Sequence, residues 1–148
     1  SIARAALYTT GVEACPFPSS SGSRVDLFVT KGHVSACCDV AITHTLRDSN
    51  VPLAAARPGG ASTQYESTKR AKYGELCSAS GYDLVPLVVD TFGAWGDSAY
   101  PFFRRLAAAW GWRRDIPPAR AIPLVMQTLN IVVMRGVASL LLRNLHSE

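Results

Sequence analysis

Residues 82–91 limit what this chain can fold into more than any other stretch. Their centre, Leu84-Val85-Pro86-Leu87-Val88-Val89, is apolar at successive positions. Side chains of a strand alternate between two faces, so both faces of this one need cover. The run therefore predicts a central strand, with Pro86 marking either the strand start or a missing ladder bond. Phe92-Gly93-Ala94-Trp95-Gly96 behind it reads as a turn.

The cover is predicted by helical stretches on both sides in sequence. Ser1–Thr10 reads as a short helix ended by Gly11, followed by a Pro/Ser/Gly-rich loop over 15–23, in which a further strand has room to hide. Val25–Thr30 and Val34–Thr43 read as a hairpin turning at Lys31-Gly32-His33. Arg47–Gly60 is expected to be loop. Ser62 or Thr63, with Glu66 completing a capping box, starts a helix to about Ala79. Asp97 or Ser98 caps another helix through Trp110, with Pro101 in its first turn. After a proline-containing linker over 113–121, a long helix over 123–144 is expected to bury Leu124, Thr128, Ile131, Met134 or Arg135, Ala138, Leu142 and Leu145. The order α, β, β, α, β, α, α predicts an α/β domain: a small mixed β-sheet flanked by helices, with a long C-terminal helix. One domain is expected over 1–148, its core about 13–111 and its helical extension about 119–145.

Hydrophobic residues make up 48% of the chain and charged ones 18%, which excludes a disordered polyelectrolyte. The net charge of +4 is unevenly spread: residues 100–148 carry seven arginines and two acids, whereas 1–99 are nearly balanced. A basic C-terminal third suits a polyanion. The four cysteines, Cys15, Cys37, Cys38 and Cys77, have neither zinc-site nor disulfide-framework spacing and read as reduced, buried thiols in an intracellular protein. Arg135 splits the longest apolar stretch, so no membrane partner is expected. The chain begins without methionine, as a fragment of a longer protein would. Nothing in it indicates an oligomeric state.

Two aspartates are the main chemical candidates. Asp26 and Asp39 lie thirteen residues apart, about equidistant from the predicted turn, so they can face each other across the hairpin. Paired carboxylates repel unless a cation sits between them, and hard divalent ions favour such oxygens. The competing reading is two strand-edge residues facing water. Glu13 is a candidate third oxygen. Lys69 and Lys72 share a helix face with Glu66 and Tyr73 and can serve phosphate, or simply face solvent. His44, at the second strand's end, is a candidate base or ligand. Trp95, Trp110 and Trp112 are expected to pack rather than stack on bases.

Together these segments resemble the restriction-like endonuclease domain at the C-terminus of some non-LTR retrotransposon polyproteins, within the PD-(D/E)xK nuclease superfamily. The family's Arg-Pro-Asp motif looks like Arg24-Val25-Asp26, and its second acidic strand like Asp39-Val40-Ala41-Ile42-Thr43. Its Glu-x-x-Lys helix looks like Glu66-Ser67-Thr68-Lys69, and its strand and turn like Val85 through Gly96. The closing helix, with Arg135-Gly136-Val137-Ala138, is also similar. The usual lysine two residues after the second acid is replaced by Ala41, which moves the role to Lys69 first and Lys72 second.

The resemblance implies a restriction-endonuclease-like fold and metal-dependent nicking of DNA to prime integration. Asp26 and Asp39, a backbone carbonyl near Val40, and Glu13 would hold Mg²⁺ or Mn²⁺. Arg24, Arg104, Arg105, Arg113, Arg114 and Arg120 would contact the DNA backbone. The implied partners are DNA and an adjoining reverse transcriptase domain, and the implied location is nuclear. The alternatives are a nuclease fold that only binds nucleic acid or other polyprotein domains, and a structural docking domain in which the aspartates are incidental.

Overall fold

The computed structural model describes residues 9–14, 17, 24–31 and 34–145. Along them run strands β1 (Thr9–Ala14), β2 (Val25–Lys31) and β3 (Val34–Thr43), then helices α1 (Val51–Ala56) and α2 (Gly60–Ala79). Strand β4 (Asp83–Asp90) and helices α3 (Ala99–Trp112) and α4 (Pro118–Leu145) complete the chain. The strands form one mixed sheet in the order β1-β2-β3-β4. The first two junctions are antiparallel. The third is parallel and needs a crossover, which α1 and α2 supply.

Alternation along β3 divides the core between two faces. Cys37 packs with Val25, Phe17 and Cys77 of α2. Cys38 points the other way, toward Val85, Leu87 and Val89 of β4 and Phe102, Phe103 and Leu106 of α3. Met126, Leu129 and Val133 of α4 join that second cluster. The sheet thus lies between α2 on one side and α3 with α4 on the other. Cys37, Cys38 and Cys77 are unbridged and buried. Burial pushes the Cys37 and Cys38 thiols up to about 12. Cys15 lies outside the described residues.

Several expectations are corrected. Of the helix expected over 1–10, residues 1–8 lie outside the described ones, and Thr9–Ala14 is a strand. Thr9, Thr10 and Val12 suit an extended chain, and pairing with β2 overrides the weak helical pattern. The expected loop over 47–60 contains α1, where Pro52 stands in the first turn ahead of Leu53 and three alanines. The capping box is absent. Helix α2 starts behind Gly59, the Ser62 hydroxyl donates to the Ala94 carbonyl, and Glu66 turns away to Ser98.

Strand β4 is an edge strand, not a central one. The Gly96 N–H donates to the Val88 carbonyl, and the Asp90 N–H donates to the Ala94 carbonyl. The even-numbered residues of β4 therefore aim their backbone groups away from β3. Pro86 is among them, so its missing N–H costs no ladder bond. The turn through Trp95 folds back on this edge, and that is how both faces and the rim of an edge strand come to be buried.

Helix α4 starts at Pro118, earlier than expected, and it is rotated relative to the expected face. Ala121 and Val125 are buried, whereas Leu124, Ile131, Met134 and Leu142 are exposed. The close approach of α3 and α4 sets this rotation: a Cβ on Gly111 would run into Ala121 at 2.7 Å. The stretch Pro118–Ser139 is long and apolar enough to cross a membrane by length and composition, which the reading of Arg135 did not anticipate. Trp112, expected to pack, is 87% exposed.

One glycine fixes the entry to α2. Gly59 adopts φ 73°, and a Cβ there would strike the Trp95 carbonyl. Gly59→Ala should lower the urea midpoint by an amount worth more than about 1 kcal/mol, because both the backbone conformation and the space exclude a side chain. An unchanged midpoint would show that this contact is dispensable.

Candidate active site

The site is built where α2 crosses the face of β3 that carries Cys37 and Asp39. Residues 65, 69, 73 and 77 follow one ridge of α2, spaced one turn apart. Cys77 at the end of that ridge packs on Cys37, which brings Lys69 over Asp39. The Lys69 Nζ lies 2.7 Å from Asp39 Oδ2, with the two side chains 17% and 6% exposed. The contact is a buried ion pair at hydrogen-bonding distance. The rings of Tyr65 and Tyr73 flank the ammonium at 5.6 and 6.0 Å. Burial pulls the Lys69 ammonium down, but Asp39 and the two tyrosines outweigh it and the net shift is upward.

Asp26 stands on the neighbouring strand. The β2–β3 register ends at Leu27↔Cys38, one residue short of Asp26 and Asp39. Beyond it, Asp26 Oδ2 accepts the Val40 N–H at 2.7 Å. That bond ties one carboxylate to the residue following the other. Glu13 lies in β1 between Val12 and Ala14, which pair with Leu27 and Val25, so its backbone is level with Asp26. The side chain of Glu13 lies outside the described residues.

The remaining candidates are elsewhere. Lys72 is exposed, with its Nζ over the Tyr73 ring at 4.7 Å, and Lys69 alone of the two lysines touches Asp39. Arg24 is exposed just ahead of β2. Arg104, Arg105 and Arg120 are exposed on α3 and α4, and Arg113 and Arg114 follow α3. These five sit on the helices across the sheet from Lys69, and Arg114 stacks on Trp110 at 4.8 Å. His44 accepts the Leu46 N–H on Nδ1 and shapes a turn. A groove of about 530 Å³ beside β4, lined by Arg70, Asp83, Ser98 and Arg105, contains neither Asp39 nor Lys69.

The segment 90–98 has a structural part in the site. Asp90 Oδ1 accepts the N–H groups of Phe92 and Ala94. The carboxylate of Glu66 accepts the backbone N–H and the hydroxyl of Ser98 at the start of α3. Arg57 forms a two-pronged pair with Asp97 at 2.9 and 2.7 Å. These bonds clamp the turn after β4 to the junction of α1 and α2 and to the first half of α2. Glu66 in the Glu-x-x-Lys pattern is thus the anchor that fixes α2, while Lys69, one turn on, reaches the carboxylate. Tyr65 and Tyr73 escaped the sequence reading as a pair, although their spacing of four residues on either side of Lys69 was the available signal.

Burial raises the Glu66 carboxyl above its usual range, outweighing the Ser98 bonds that oppose it. A carboxyl raised in the folded state adds stability at acid pH, fully below about 4.5, and loses it as pH rises through the folded value. Glu66→Ala should therefore cost about 1–3 kcal/mol from the unpaired Ser98 groups, and more at pH 5 than at pH 7. Urea unfolding at the two pH values measures this; a penalty that grows toward pH 7 contradicts it.

No family model matches the chain, and no curated protein matches its sequence. The site's chemistry must therefore be read from its own groups. Asp39 and Asp26 are hard oxygen donors of the kind a divalent cation favours, and the buried Asp39 Oδ2 already holds one cation, the Lys69 ammonium. Among the described residues no three His, Cys, Asp or Glu side chains gather as a complete ligand set. Backbone oxygen near Val40, Glu13, water or substrate phosphate would have to supply the rest.

Proposed function

We propose that this chain is a metal-dependent DNA endonuclease domain of the restriction-like type, nicking DNA by phosphodiester hydrolysis. The observation that carries the reading is the buried Asp39 carboxylate held by Lys69, with Asp26 on the next strand bonded to the N–H of the residue that follows Asp39. A carboxylate pair beside one lysine is what hydrolysis of a phosphodiester asks of a protein: oxygens for Mg²⁺ or Mn²⁺ and a mobile cation for the substrate. Asp39 and Asp26 would hold the ion, with the carbonyl near Val40 and Glu13 as further donors. The bound ion would supply a more acidic water and charge neutralisation at phosphorus. Lys69 can donate to a phosphate oxygen or orient the attacking water. The Asp26–Val40 hydrogen bond keeps the two strands' acids together. Arg24, exposed just ahead of β2, would meet the duplex backbone near the site, whereas the arginines at 104, 105, 113, 114 and 120 would reach it only where the DNA extends past the other face of the sheet. Such contacts make binding salt-dependent. In this reading the domain works in the nucleus beside a reverse transcriptase domain of a longer polyprotein, and the 3′ hydroxyl of the nick primes synthesis.

The test is supercoiled plasmid incubated with the protein and Mn²⁺, with and without chelator. Chelator-sensitive conversion to open circle supports the reading, and no conversion sinks it. One observation favours the second reading, a nuclease fold that only binds nucleic acid or a neighbouring domain: the described residues lack a complete ligand set. It predicts salt-dependent DNA binding with no Mn²⁺-dependent nicking.

A further inference from the structure

We propose that Lys69 competes with the divalent cation for Asp39 Oδ2, and so sets how tightly the site binds its ion. This rests on the nuclease reading above. The Asp39 carboxylate is buried on a strand between Val40 and Cys38, with α2 over it and the partly exposed Lys69 beside it. A buried carboxylate needs a cation in contact with it. Lys69 is that cation, at 2.7 Å. The neighbouring cations of α2 are engaged elsewhere: Arg70 donates to the Ser98 hydroxyl at 2.6 Å, and Lys72 lies over Tyr73. An ammonium and a divalent ion on one oxygen repel strongly, so they exclude each other.

The two partners differ in freedom. Lys69 is a four-carbon stem with part of its length at the surface, so it can swing out, and Asp39 cannot. Tyr65 and Tyr73, whose rings bracket the ammonium, offer it their faces as it moves. A displaced ammonium remains close to the ion, where a phosphate oxygen would be its next partner. Lys69 therefore weakens cation binding and serves the substrate once the cation is bound.

Mn²⁺ titrated calorimetrically into the whole chain tests this with wild type, Lys69→Met and Asp39→Asn. Lys69→Met should bind Mn²⁺ at least about tenfold more tightly than wild type, because a repelling charge beside the ion is gone. Its melting temperature should also rise more on adding Mn²⁺. Asp39→Asn should lose binding. Lys69→Gln repeats the measurement if the methionine variant folds poorly. Equal or weaker binding by the neutral variants overturns the competition but leaves the nuclease reading standing, since wild type still binds Mn²⁺. Absence of Mn²⁺ binding in every variant overturns both.

Discussion

Asp39→Asn is expected to slow Mn²⁺-dependent plasmid nicking by on the order of 10³-fold while leaving the fold intact. The amide has the shape of the carboxylate but none of its charge, so it fills the space beneath α2 and cannot hold a divalent ion. The stability cost should stay within about 1 kcal/mol, because the substitution removes a buried charge and Lys69, partly exposed, can turn to water. Lys69→Ala should behave the other way. It strands a 6% exposed carboxylate without its cation, so it should cost about 1–3 kcal/mol, kept low because the lysine end of the pair is open to solvent. The pH dependence separates the two further. The Lys69 ammonium is raised in the folded protein, so its contribution is complete below about 10.5 and fades as pH climbs through the higher folded value. Wild type should lose more stability in that alkaline range than Lys69→Ala, which still loses what its raised Cys37 and Cys38 thiols contribute. Nicking assays beside urea curves measure all of this, and wild-type nicking by Asp39→Asn would remove Asp39 from the site.

The parts of this site that were legible in the sequence depend on short-range rules. Alternation in the runs 25–30 and 34–43 predicts a hairpin, and the observed register from Lys31↔Val34 to Leu27↔Cys38 brings Asp26 to β3 beside Val40. That Lys69 reaches Asp39 was suggested only by a resemblance, because no local rule says which face of the sheet α2 will cover. The contact of Cys77 with Cys37 decides it, and two buried cysteines give no pattern to read. Glu66 looked like a capping residue because its spacing from Thr63 is right for a box. Its carboxylate instead goes to Ser98, thirty-two residues away.

The misread ends of the chain have a different cause. Helix α4 is apolar around most of its girth, so its pattern carries no phase, and the small residues Gly111 and Ala121 choose the buried side by allowing close approach. In β1 the signal is weak in either direction, and pairing with β2 settles it. The apolar run at 84–89 was read as central because both of its faces are covered. Coverage of an edge by a turn that folds back on it leaves the same signature.

That turn makes Trp95→Ala the substitution with the largest expected cost to the fold, about 3–5 kcal/mol. Trp95 is buried in the larger core cluster, and its ring meets Phe103 edge-on at 4.8 Å. Its Nε1 donates to Asn130 Oδ1 at 2.8 Å, which joins the turn to α4. Its backbone forms the bridge that caps the outer edge of β4 at Val89. Alanine would empty the cavity, unpair the Asn130 amide oxygen and loosen the cover on an edge strand, so added aggregation is expected with the lost stability. Trp95→Phe keeps most of the packing and should cost about 1–2 kcal/mol, mainly for the lost bond to Asn130. Asn130→Leu in the Trp95→Phe background should then recover part of that cost, because both halves of the polar pair are gone. Thermal and urea unfolding of the three variants measure the series. A Trp95→Ala protein as stable as wild type would mean that the turn does not hold β4 in place.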